Sequence, residues 1–195
     1  MYELLRKHFN KFVLLSDEEF ERSLTYFTYK KFRKHQYILQ EGEVSRYETY
    51  ILSGCARSYE VDDDGDEHII QFGLEDWWVG NMYSFLTVTP SRLNIDCLEE
   101  TEVLQITLQN HDKLCDDIPK LERHFRKLLQ NAYCASTQRI YANLSKPALD
   151  RYNEFIKKYP HIEQRVPNNL IASYLGITPQ SLSRLRGRKS TKKSG

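Results

Sequence analysis

Along the first 27 residues, apolar positions recur three and four apart at Leu4, Leu5, His8, Phe9 and Phe12, a spacing that predicts helix. Within "LSDEEFERSL", Ser16 stands three residues ahead of Glu19. That is capping-box spacing, in which a hydroxyl and a carboxylate take up the free N–H groups of a first helical turn. From about residue 30 the period shortens. "QYILQEGE", "TYILSGCARSYEV", "DEHIIQFG", "WWVGN", "LNIDCLEE" and "EVLQITL" are short runs rich in β-branched and aromatic residues. Five of the eight glycines (Gly42, Gly54, Gly65, Gly73 and Gly80) fall among them. Strands punctuated in this way predict a small antiparallel barrel or sandwich. "VDDDGDE" reads as a hairpin turn with Asp64-Gly65 supplying positive φ; it lacks the twelve-residue spacing and terminal Glu of a calcium loop.

After Pro119 the helical period returns. Leu121, Phe125, Leu128, Ala132, Ala135 and Arg139 follow a 4-3-4-3-4 rhythm, with Leu129 and Ile140 beside it, until "LSKP" interrupts. A helix packed on its own barrel would carry a similar stripe. A helix this long outruns a barrel of this size, which favours a coiled-coil seam between two copies, with Leu121, Phe125, Leu128, Ala132 and Ala135 at the contact. "SKPALDRYNEFIKKYP" predicts a further helix, with Pro147 in its first turn and Pro160 beyond its end.

The stretch "ASYLGITPQSLSRLR", residues 172–186, carries the chemistry. Ile171, Leu175, Ile177, Leu182 and Leu185 face one another if one helix ends at Gly176 and the next starts at Thr178. Gly176 supplies a positive φ, Ala172 allows close helix crossing, Thr178 can cap, and Pro179 suits the first helical position. This is helix-turn-helix grammar. The second helix projects Gln180, Ser181 and Arg184 away from its apolar face. Gln and Arg form paired hydrogen bonds with adenine and guanine edges. Arg186, Arg188 and Lys189 suit phosphates. An ordinary surface αα-corner would show the same apolar pattern without this charge.

Charge strengthens the first reading. Of 28 Lys and Arg residues, six lie within 166–195 and no acidic residue does; the rest of the chain holds 22 basic and all 27 acidic side chains. A cationic end on a mildly acidic body suits a polyanionic partner, although a Lys-rich tail can also serve solubility alone. The four cysteines, Cys55, Cys97, Cys115 and Cys134, form no CxxC pair and predict buried free thiols, not a metal or cluster site. No apolar run approaches 18 residues and the N-terminus carries no signal-peptide core, so a cytoplasmic protein without a membrane span is expected.

In this order, a Gly-punctuated roll, a long seam helix and "VPNNLIASYLGITPQSLSRLR" resemble the Crp/Fnr family of bacterial transcription regulators, and "EGEVSRYETYILSGCARSYEVDDDGDEHIIQFG" is similar to that family's β-roll. The resemblance implies an α+β fold: an N-terminal antiparallel, jelly-roll-like β-roll with flanking helices over 1–118, a dimerisation helix over 119–143 and a small helix-turn-helix domain over 144–195. It implies double-stranded DNA as partner, a second copy of the chain, a small-molecule effector in the roll, RNA polymerase as a further contact, and no catalysis or cofactor. The effector pocket it implies maps to Gly80, Asn81, Ser91 and Arg92, with Ser136 and Thr137 on the seam helix. Cyclic-nucleotide-binding members carry Gly-Glu for the ribose and Arg-Ser for the phosphate. Here the pairs read Gly80-Asn81 and Ser91-Arg92, so no charged acceptor meets the ribose and a one-residue shift turns the guanidinium to the other strand face. Cyclic AMP is therefore not expected to bind. Two other readings of the roll are a ligand-binding module without DNA binding and a cupin-like metalloenzyme. The latter needs two His and a carboxylate together, whereas His68 alone lies in the strand region.

Overall fold

The computed structural model describes residues 2–191, with the side chains of residues 188–191 outside that description. Two helices open the chain, α1 (Glu3–Asn10) and α2 (Asp17–Leu24). The Ser16–Glu19 capping box forms as a reciprocal pair, at 3.1 Å from the Glu19 N–H to Ser16 Oγ and 2.8 Å from the Ser16 N–H to Glu19 Oε2. Then come β1 (Thr28–Phe32), β2 (Tyr37–Leu39), β3 (Glu48–Ser53), β4 (Ala56–Val61), β5 (Glu67–Gly73) and β6 (Trp78–Val79). A short helix α3 (Met82–Thr87) precedes β7 (Asn94–Cys97) and β8 (Thr101–Ile106). Helices α4 (Leu108–Asp117), α5 (Lys120–Ser145), α6 (Ala148–Lys158), α7 (Ile162–Arg165), α8 (Asn168–Tyr174) and α9 (Pro179–Thr191) complete the chain.

The strands form two four-stranded sheets, in the orders β1-β8-β3-β6 and β2-β7-β4-β5, where pattern alone had allowed a closed barrel as well as a sandwich. Strand β8 pairs antiparallel with both β1 and β3, setting Thr49 opposite Gln105, Tyr50 opposite Leu104 and Ile51 opposite Val103. Alternation then sends successive side chains to opposite faces. Ile51 and Val103 join Phe32, Leu39, Val79 and Ile95 in the interior of the roll. Tyr50, Leu104 and Ile106 face the other way and join Leu5, Phe9, Leu114, Ile118 and Leu121. The pattern of short runs did not reveal β1, α3, α4 or α7. Helix α4 has a legible cap in hindsight, because Thr107 Oγ1 accepts the Asn110 N–H at 3.2 Å.

The chain divides into two compact units, residues 1–60 with 71–132 and residues 61–70 with 133–195, so that both β5 and α5 contribute to each. In the first unit a polar network fastens α1 to the roll. The Trp78 Nε1–H donates to His8 Nε2 at 3.1 Å, which leaves His8 Nδ1 to donate to Asp76 Oδ1 at 2.7 Å. The Tyr50 hydroxyl and Lys11 also donate to Asp76. Burial alone would raise the Asp76 pKa, but the His8, Lys11 and Tyr50 bonds prevail and hold it at about 2. His124, from α5, lies against this network fully buried. Its ring meets His8, Phe9, Phe12 and Phe125 within 5.0–5.5 Å, and neither ring nitrogen has a hydrogen-bond partner.

Burial, reinforced by the nearby His8, pushes the His124 pKa down to about 4. A depressed histidine binds its proton in the unfolded chain first, so native stability is lost as pH falls from about 6.5 towards 4. Urea unfolding of wild type and His124→Phe checks this. The variant is expected to gain up to about 2 kcal/mol relative to wild type between pH 7.5 and pH 5. A pH-independent difference would mean that His124 becomes hydrated or charged in the native state.

Candidate functional site

In the second unit, α8 ends and α9 begins as the residue types require. The Ile177 N–H reaches the Ala172 carbonyl and the Gly176 N–H the Ser173 carbonyl, both at 3.0 Å, with Gly176 at φ 63°. This is a Schellman turn, whose left-handed residue is glycine at least steric cost. Thr178 Oγ1 accepts the Ser181 N–H at 3.2 Å and donates to the Ser181 hydroxyl at 2.9 Å, capping α9 with Pro179 at its first position. Leu170, Ile171, Ala172, Leu175 and Leu182 are buried between the helices with Tyr152, Phe155, Ile162 and Val166. Gln180 and Arg184, four residues apart on one side of α9, are exposed. Ser181 is half-buried and engaged by Thr178. Arg186, assigned to phosphate on sequence grounds, is turned inward to Asn168 Oδ1 and, at 3.2 Å, to Glu163. The Arg188 and Lys189 side chains, and Lys192 and Lys193 altogether, lie outside the described residues.

Two functional contacts were not legible in the sequence. Arg151 donates to the carbonyls of Asn143 (3.3 Å) and Lys146 (3.0 Å) at the end of α5, and to that of Leu175 (3.0 Å) at the end of α8. A cation at two helix C-termini satisfies orphan carbonyls and complements both dipoles. The second contact involves the β4–β5 hairpin. Its turn forms as expected, with the Gly65 N–H bonded to the Asp62 carbonyl and the Asp62 carboxylate taking the N–H groups of Asp64 and Asp66. Beyond the turn, Ser173 Oγ on α8 accepts the Ile69 N–H at 3.0 Å and donates to the Glu67 carbonyl at 2.8 Å. Arg139 on α5 donates to the Ile70 carbonyl while its guanidinium lies 5.0 Å from the centre of the Tyr174 ring.

The long helix corrects the proposed seam. Leu121 is fully buried and Phe125 9% exposed, both inside the chain's own core, with Leu128 packed on its edge. Those residues are occupied by α1 and the roll and are not free for a partner copy. Ala132 and Ala135 are exposed. The exposed apolar stripe of α5 runs instead through Leu129, Tyr133, Ile140 and Leu144, with Ser136 among them. At about 100° per residue this stripe lies roughly one residue step around the helix from the one read in the sequence. Cys134, expected to be buried, is exposed there; Cys55, Cys97 and Cys115 are buried.

Inside the roll is a cavity of about 340 Å³, walled in part by Ile38, Val79, Gly80, Ile95, Thr49 and Gln105. Of the pocket residues inferred from resemblance, only Gly80 reaches it. A Cβ on Gly80 would run into the Glu48 carboxyl. Asn81 Oδ1 caps α3 by accepting the Ser84 N–H, and its Nδ2 donates to Ser91 Oγ at 2.9 Å. Ser91 is buried and also bonded to Leu93. Arg92 is 84% exposed and paired with Glu60 at 2.5 Å. Ser136 and Thr137 fall in the second unit and do not line the cavity; Thr137 Oγ1 donates to the Tyr133 carbonyl at 3.0 Å. His68 pairs with Asp62 at 2.6 Å, and among the described residues no group of three or more His, Cys, Asp or Glu side chains could hold a metal ion. No helix among them is long and apolar enough to cross a membrane.

In a chain built as a β-roll, a long helix and a capped helix-turn-helix, residues 29–117 match the model of the cyclic nucleotide-binding domain. The chain is 27% identical over 172 residues to the fumarate and nitrate reduction regulatory protein of Vibrio cholerae, covering 82% of this chain and 67% of that one. It is 26% identical over 170 residues to electron transport regulator A of Shewanella oneidensis, with the same coverage. In fold it is similar to FixK2 from Bradyrhizobium japonicum (TM-score 0.72, 21% identity, 86% of both chains). It is also similar to the catabolite activator protein of Thermus thermophilus (TM-score 0.59, 18% identity, 92% of this chain and 85% of that one). Over most of its length the chain is thus similar to regulators of the Crp/Fnr type.

Ser173→Ala should free the Ile69 amide and the Glu67 carbonyl while leaving the α8–α9 core intact. Loss of such bonds costs about 1–1.5 kcal/mol, or roughly a tenfold rise in local opening. Native-state hydrogen exchange should therefore show the Ile69 amide exchanging about ten times faster in the variant; an unchanged rate would show that the hairpin is held by other contacts.

Proposed function

We propose that the chain is a cytoplasmic transcription regulator that binds double-stranded DNA as a homodimer and senses a small molecule through its roll. In this reading residues 1–118 sense, 119–143 begin the dimerisation helix and 144–195 bind DNA, with RNA polymerase as a further partner. The observation that carries it is the pair Gln180 and Arg184, exposed four residues apart on a helix whose entry is fixed by Gly176, Thr178 and Pro179. Two such side chains on one face can reach adjacent base edges in a major groove, with Thr178 and Ser181 at the helix start beside the backbone. Arg186 supports α9 through Glu163, which leaves Arg188, Lys189 and the residues after them for phosphates. Dimerisation through Leu129, Tyr133, Ile140 and Leu144 would cover the exposed stripe of α5, and the preferred site would be a near-palindrome with half-sites about 34 Å apart or a multiple of that.

Selection on random duplexes at two salt concentrations tests the reading. Arg184→Ala is expected to cost about 1–3 kcal/mol on the selected site and to relax one base pair, and Arg188→Ala to weaken all sequences alike and reduce the salt slope by about one. An unchanged motif in Arg184→Ala would remove α9 as the reading helix. Sedimentation tests the seam separately. Ile140→Glu places two like charges at the stripe and should give monomers, whereas a persistent dimer would place the contact elsewhere.

A further inference from the structure

We propose that the roll cavity takes an uncharged ligand presenting an amide-like hydrogen-bonding edge to Gln105, and not a nucleotide phosphate. The inference rests on the reading of the roll as a sensor and concerns the chemistry of what it senses.

A phosphate needs a cation or a set of unengaged N–H donors, and the cassette that would supply them is closed on itself. The N-terminus of α3 is capped by Asn81 of its own chain, Ser91 is shared between Asn81 and Leu93, and Arg92 points outward to Glu60. The Ser45 N–H, in the cavity wall, is taken by Ser84 Oγ at 2.8 Å. The wall also holds Glu43 and Arg46, both exposed, whose formal charges cancel. Behind Gly80 sits Glu48, 9% exposed, with Oε1 unpartnered. Burial pushes its carboxyl up to about 8, and no neighbouring cation pulls it back. Held protonated by burial, the Glu48 carboxyl is neutral and brings no positive charge to a phosphate at Gly80, and the cation of the wall, Arg46, is exposed and accompanied by Glu43.

Gln105 offers a different chemistry. It is 2% exposed, its Nε2 donates to Thr49 Oγ1 at 3.0 Å, and its Oε1 has no partner. The Thr49 hydroxyl can donate as well as accept, so either orientation of the amide leaves one end unmatched. A buried amide end without a partner is costly to the empty protein, and a ligand N–H or carbonyl removes that cost on binding. The neighbouring wall residues Ile38, Leu39, Val79 and Ile95 are apolar, and a cavity of about 340 Å³ falls within the range of small-molecule sites. The unmatched amide beside Ile38, Leu39, Val79 and Ile95 selects a flat, uncharged molecule with a donor beside an acceptor, such as a nucleobase, nucleoside or pyridine carboxamide, while Glu43, Ser45, Arg46, Tyr47 and Thr49 make the rest of the wall polar.

The test uses the full chain. Thermal melting is followed with adenosine, uridine and nicotinamide at millimolar concentration, and with cyclic AMP and inorganic phosphate as charged counterparts; calorimetry compares adenosine with cyclic AMP. At least one uncharged probe is expected to raise the melting temperature, phosphate to leave it unchanged, and cyclic AMP to bind at least tenfold more weakly than adenosine. Gln105→Leu should remove the shift. The adenosine–cyclic AMP comparison is made on the unaltered chain and needs no variant to fold. Cyclic AMP binding as tightly as adenosine, or no shift from any uncharged probe, would overturn the inference. Binding of the selected DNA is measured on the same samples. Its loss would remove the regulator reading and leave the cavity result standing.

Discussion

Strands β3 and β8 carry two hydrophobic cores at once, and the roll unit is arranged around that double duty. Their register sets Tyr50 beside Leu104 on one face and Ile51 beside Val103 on the other. The first face receives α1, α4 and the start of α5; the second closes the roll. A slip of one residue would exchange the two sets and bury Thr49 or Ile51 where Tyr50 stands. The same alternation decides where chemistry can occur. Thr49 and Gln105 sit opposite each other on the roll-facing side, so the cavity receives an amide and a hydroxyl from the strands that hold the helices in place.

Buried polar groups in this unit fall into two kinds. His8 and Asp76 are fully engaged, bonded to each other, with Trp78 donating to His8 and Tyr50 and Lys11 donating to Asp76, and together they fix α1 on the roll. Glu48, Gln105 and His124 are not. His124 is enclosed by aromatic rings, which compensate it by packing and by the edge of its own ring. Glu48 and Gln105 have no such explanation. Glu48 lies behind Gly80, outside the cavity wall, whereas Gln105 is in the wall, where a polar group left unmatched by its own chain is available to something else.

What the sequence revealed follows the strength of each local signal. The capping box at Ser16, the Asp62–Gly65 turn and the Gly176–Pro179 corner rest on residues whose side chains or φ values act within four positions, and each forms as read. The apolar rhythm of α5 did not give an exposed stripe at Leu121 and Phe125 because the first turns serve the chain's own core and only the later turns are exposed; a continuous 4-3 rhythm runs through both and does not separate them. The effector residues were read by analogy of position. Asn81, Ser91 and Arg92 lie in the right segment, yet each is committed to a neighbour that no spacing rule specifies. Gln105 and Glu48 gave no signal, since a polar residue within a strand reads as a solvent-facing position until the second sheet is known to cover it.

The β4–β5 hairpin and α5 are the elements shared by the two units of the chain. Both run through the division of the chain, so each has one end among the residues of the roll unit and the other among those of the helix-turn-helix unit. In the latter, Ser173 and Arg139 hold β5 by its backbone, through the Glu67 and Ile70 carbonyls and the Ile69 N–H. Backbone contacts specify position without specifying side chains, so they tolerate sequence change in the hairpin but not displacement of it. Ser173 lies on α8, three residues before Gly176 and five before the Thr178 cap of α9. A shift of β5 that broke the Ser173 bonds would therefore act on the helix whose Schellman turn sets the direction of α9. The turn itself is stiff, because its hydrogen bonds and the buried Leu175 and Leu182 resist local change.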